Sequence, residues 1–129
     1  MSRPTFMRIA AAVGAIAGVA DLLAPAEFAS TFGVVLDELG RAQTRLLGAA
    51  YIGYAVIVWL SRDIRDVAAQ RAIAVGNVVS WALSLIVGVA GVVAGLAGTQ
   101  LWALLVLELA FTAAWGYFAI IDRAKASAR

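Results

Sequence analysis

The sequence predicts an all-α fold: a transmembrane four-helix bundle with a short interfacial helix between its first and second spans. Three observations carry that expectation. Hydrophobic residues make up 64% of the 129 positions and charged residues only 14%, and the mean hydropathy is +0.93, far on the apolar side of a soluble domain. The charges gather between four long apolar runs instead of alternating through them, so no run has the polar outer face that a soluble helix needs. The third observation is where the cations fall. Arg3, Arg8, Arg62, Arg65, Arg71, Arg123, Lys125 and Arg129 occupy the N-terminus, the second loop and the C-terminus, against Arg41 and Arg45 in the first loop. By the positive-inside rule this bias puts both termini in the cytoplasm. The whole chain, residues 1–129, reads as a single membrane domain.

The first span covers about residues 9–24 and ends at Pro25. With Arg3 and Arg8 before it and Ala24-Pro25-Ala26 after it, the run imitates a signal peptide, and it is expected to stay in place as the first helix. Pro25 suits the first turn of a short helix in which Phe28 and Phe32 share a face at i, i+4. Gly33 is placed to stop that helix. The two rings are expected to dip into the lipid boundary, ahead of an acidic loop with Asp37 and Glu38.

The second span covers about residues 44–60, and the polar stretch 61–71 follows. There Arg62 and Asp66, at i, i+4, are expected to support a helical extension. The third span is about residues 72–96. A tight turn at 97–100 leads to the fourth, about 101–121, and the polar tail 122–129 is expected to fray. Trp59 and Trp102 sit at span ends, where interfacial aromatics belong.

The chain has no Cys and no His. Disulfides, thiolate metal sites and Cys or Ser–His nucleophile systems are therefore excluded. No metal site, cofactor or catalytic residue set is predicted. The glycines form no phosphate-binding loop. Although the pI is near 9.5, the basic residues are scattered at helix ends and do not point to nucleic acid.

Glu108 is the most costly residue. It lies about 10 Å into the fourth span at 1.5 Å per residue, where a carboxylate facing lipid costs several kcal/mol and should turn inward. Thr112 and Trp115 share its face. Arg45 in the first turn of the second span and Asp21 in the last turn of the first fall at the same depth. Asp21, Arg45, Glu108 and Thr112 thus form a candidate intramembrane polar cluster. Glu108 reads either as a proton-titrating or ligand-binding carboxylate, or as a structural ion pair or hydrogen-bond donor that fixes packing. Asp21 and Arg45 could equally sit among headgroups.

Small residues mark candidate packing faces: Gly14 and Gly18 on the first span, and Gly76, Ser80, Ser84 and Gly88 at strict i+4 spacing on the third. Asn77 is expected to bond to a neighbouring helix. Trp81, Phe111 and Trp115 could line a pocket for an apolar ligand, although aromatic residues in a bundle are more often core filler.

The pattern Pro25-x-x-Phe28-x-x-x-Phe32-Gly33, then Arg45-Leu46-x-Gly48-Ala49 and Trp59-x-x-Arg62, resembles small four-helix bacterial integral membrane proteins of unknown function, loosely DoxX-like. The resemblance implies a helical bundle in the bacterial inner (cytoplasmic) membrane and carries over no catalytic residues. Because some DoxX-like chains accompany quinone-linked oxidoreductases, it also implies an accessory role. The leading expectation is a non-enzymatic membrane subunit or scaffold, surrounded by the lipid bilayer and packing as a homo-oligomer or within a larger membrane complex. Two alternatives stay open: a small proton-coupled transporter using Glu108, and a binder of a lipid, quinone or pigment between helices.

Overall fold

The computed structural model describes the backbone of residues 1–127 and the side chains of residues 1–121. The tail beyond 121, with Arg123, Lys125 and Arg129, lies outside the described side chains. The described residues form five helices and no strand: α1 (Arg3–Leu23), α2 (Pro25–Ser30), α3 (Glu38–Ser61), α4 (Val67–Val93) and α5 (Leu101–Ser127). Four of them are long and apolar enough to cross a membrane. They resolve into two compact units, Met1–Asp63 and Ile64–Arg129, each built around one pair of long helices.

Helices α1, α3 and α4 begin earlier than the apolar runs because polar caps lie outside those runs, whereas α5 begins at Leu101 with its run. Ser2 accepts a hydrogen bond from the Thr5 amide at 3.4 Å, with Pro4 in the first turn of α1. Asp37 Oδ1 accepts from the Gly40 amide and Asp66 Oδ1 from the Ala69 amide, each at 2.7 Å, so α3 and α4 start at N-caps that satisfy otherwise orphaned donors. Asp66 is therefore the cap of α4 and not an i+4 partner of Arg62. The chain leaves helical geometry between residues 62 and 66.

Arg62 turns back instead. Its guanidinium lies 4.4 Å from the centre of the Trp59 ring, its Nη1 donates to the Trp59 carbonyl at 2.5 Å, and Asp63 Oδ2 is 3.3 Å from its Nε. A cation on the last carbonyls of α3 suits the negative end of that helix.

Glycine ends two helices where the sequence changes direction. Gly33 has φ +73° and Gly95 φ +70°, left-handed values that side chains disfavour. Gly95 belongs to the end of α4, which stops at Val93, short of residue 96. Phe28 of α2 and Phe32, in the turn just past its end, meet edge to face at 5.4 Å, on one side as their spacing predicts.

In the first unit α1 and α3 pack through small residues. The buried face of α1 holds Met7, Ala11, Gly14, Gly18 and Asp21, alternating steps of three and four that follow one side of a helix. Gly18 and Gly48 form a reciprocal backbone crossing. A Cβ built on Gly18 would lie 2.8 Å from the Gly48 carbonyl oxygen, and one on Gly48 would lie 2.7 Å from the Gly18 oxygen. Gly14 makes room for the Tyr54 ring, 3.0 Å from where its Cβ would stand.

In the second unit α4 and α5 run antiparallel through a heavier seam. Leu105, Glu108, Phe111, Trp115 and Phe118 of α5 are buried, with Ala74 and Asn77 of α4. Trp81 stacks on Phe111 with ring centres 4.7 Å apart and planes 15° from parallel, and Trp115 is wholly buried. The aromatic residues proposed for a ligand pocket therefore serve at least as the filler of this seam.

Candidate functional site

Glu108 is the chemical centre of the second unit. It is 5% exposed, on the face of α5 that meets α4. The Ser84 hydroxyl donates to Glu108 Oε1 at 2.6 Å, at the short end of the range for an O–H···O bond. Glu108 Oε2 is buried and has no hydrogen-bond partner among the described residues. Buried polar atoms are nearly always bonded, so this one requires an explanation. On its α4 side stands Gly88: a Cβ there would lie 3.7 Å from Oε2 and collide with a Leu105 δ-methyl. Ser84 and Gly88 are thus the two small residues that let α4 close over the carboxyl group.

Thr112 is not a ligand of the carboxyl group. Its hydroxyl donates to the Glu108 main-chain carbonyl at 2.8 Å, the i−4 back-bond common for Thr in a helix. Asn77 behaves in the same way: Nδ2 donates to the Ile73 carbonyl of its own helix at 2.8 Å, while Oδ1 is buried without a partner. The i−4 carbonyl is simply the nearest acceptor, so the bond expected to reach a neighbouring helix is made within α4.

Asp21 and Arg45 belong to the first unit, Glu108 and Thr112 to the second. Asp21 is 6% exposed and lies against α3, its Cβ 2.9 Å from where a Cβ on Gly48 would stand. Arg45 is exposed, and among the described residues it forms no ion pair with Asp21. The structure thus gives each unit a buried acid of its own, on a helix face that meets its partner helix.

Of the small-residue positions, Gly14, Gly18, Ser84 and Gly88 stand at helix contacts, whereas Ser80 is exposed and nothing comes within 4 Å of a Cβ on Gly76. The reason is angular. Four residues turn an α-helix by about 400°, so a strict i+4 stripe drifts about 40° per step. From Gly88 back to Gly76 it leaves the seam.

Sequence reasoning did not anticipate Gly48 as the counterpart of Gly18. The available signal was its seven-residue spacing from Ala55, which puts both on one face of α3.

Fold and site define an all-helical protein with four potential membrane-crossing helices and a serine hydroxyl bonded to a buried carboxyl group in its second helix pair. No protein-family model matches this chain, and neither a curated protein nor a solved structure matches it.

Proposed function

We propose that this protein is a non-enzymatic integral membrane subunit or scaffold, whose helices pack against copies of itself or a larger membrane complex. The observation that carries the reading is α4. Of its most apolar window only 6% is buried within the chain, and Val79, Leu83, Ile86 and Val87 are exposed. In water such a surface would be a severe liability. In a bilayer it is an ordinary lipid- or protein-facing surface, and the unfilled space at Gly76 suits close approach of another helix.

The positive-charge bias supports insertion in the cytoplasmic membrane of a bacterium with both termini inside. Half-exposed Trp59 and Trp102 at helix ends accord with interfacial anchors. The DoxX-like resemblance accords with an accessory role in a larger assembly.

Two measurements test this reading. A cysteine in place of Gly98 should react with a membrane-impermeant maleimide from outside intact cells, and one in place of Asp63 should not. The native chain has no cysteine, so the background is clean. Gly76→Leu should dissociate a mild-detergent complex while leaving the folded chain intact. A protein that is monomeric before and after that change refutes the subunit reading.

A further inference from the structure

We propose that the Ser84–Glu108 pair is a proton-binding site inside the second helix pair, with Glu108 held as the neutral carboxylic acid, its Oε2 carrying the proton and its Oε1 accepting from Ser84. This goes beyond a packing role and does not depend on what the protein assembles with.

Three observations meet here. Glu108 is 95% shielded, and of its two oxygens only Oε1 has a partner. No cation stands at its level on either helix of the pair. Arg71 is the one charged residue of α4, thirteen positions from Ser84, or about 20 Å along the helix. Between Leu101 and Ile121, α5 carries no other charged residue, and its one further titratable group, Tyr117, is exposed and nine positions away.

The third observation is what stands on the α4 side of Oε2: the open Cβ position of Gly88, 3.7 Å from Oε2 and pressed on by a Leu105 δ-methyl. A carboxylate in such surroundings loses its water and gains only the single Ser84 hydrogen bond in return. A proton removes the charge and needs no space. A calcium or magnesium ion would need about six oxygen ligands, and the seam offers the carboxyl group and one hydroxyl. No group of three or more His, Cys, Asp or Glu that could hold a metal exists among the described residues.

The test uses the full chain in phosphatidylcholine vesicles at pH 7. Its infrared spectrum should contain a protonated-carboxyl C=O stretch that disappears in Glu108→Gln and persists in Asp21→Asn at unchanged frequency. In Ser84→Ala the stretch should move to higher frequency, because the carbonyl loses its donor. A residue that merely fills space would leave that frequency unchanged.

The unsubstituted protein supplies a second readout. Dicyclohexylcarbodiimide, an apolar reagent, should modify Glu108. The acid O–H adds across one C=N bond, with the oxygen bonding to the central carbon and the proton passing to nitrogen, and an acyl shift then gives the stable N-acylurea. A water-soluble carbodiimide should leave Glu108 unmodified. The proposal is overturned if no protonated-carboxyl band depends on Glu108, if the apolar reagent does not modify it, or if the water-soluble reagent modifies it equally.

Discussion

Replacing Gly48 by Ala should separate α1 from α3. The new methyl carbon would stand 2.7 Å from the Gly18 carbonyl oxygen, 2.8 Å from the Leu22 nitrogen and 2.9 Å from Asp21 Cβ. Two of these are backbone atoms, so no side-chain rotation relieves them. Ordinary contact begins near 3.4 Å, so the two helices must part by roughly 0.7 Å at the crossing, and a gap of that size forfeits about a quarter to a half of each contact's dispersion energy. Overpacking a tight interior costs about 1–3 kcal/mol, and a crossing closed by backbone on both sides belongs at the upper end. Equilibrium unfolding in mixed micelles of dodecyl sulfate and a mild detergent measures the loss. Gly53→Ala is the control, because nothing lies within 4 Å of its Cβ position, and it should be at least as stable as the parent, since Ala favours a helix interior over Gly by up to about 1 kcal/mol. If Gly48→Ala is as stable as Gly53→Ala, the crossing does not hold the pair together.

Gly18→Ala strikes the same crossing from the other side, so the double variant should lose less than the two single losses together, a coupling that a double-mutant cycle in the same micelles would read. Ser84→Ala leaves Glu108 Oε1 without its donor and should cost about 1–3 kcal/mol; an unchanged unfolding midpoint would mean that the hydroxyl contact is energetically idle. Trp115→Ala should cost about 3–5 kcal/mol through the cavity it opens, whereas Trp81→Leu should lose mainly the stacking on Phe111, about 0.5–1.5 kcal/mol. Their order in the same titration is the check, and a costlier Trp81→Leu contradicts the burial described above.

Much of the fold was legible in the chain because composition and spacing act locally. The apolar runs read as helices because their length and their scarcity of internal charge suit a segment that satisfies its own backbone. Gly33 marked a stop because a left-handed residue is a local matter, and the Phe28–Phe32 contact followed from i, i+4 geometry alone. Boundaries were less legible. Asp66, read as a surface partner of Arg62, caps α4 instead, because a carboxylate beside free amides has a nearer use than a side chain one turn away.

The residue types and spacings alone determined an all-helical chain with four long apolar helices, an acid in the fourth, and no cysteine or histidine chemistry. They could not decide which small residues meet a neighbour. Only the packing put Gly18 against Gly48, Ser84 on the Glu108 carboxyl group and Thr112 on its own backbone, while leaving Gly76 in open space. The physical reason is that a stripe of small residues is defined in one dimension, whereas a contact depends on the rotation of two helices about their axes, fixed by the bulk of Tyr54, Leu105, Phe111 and Trp115 on the opposing faces.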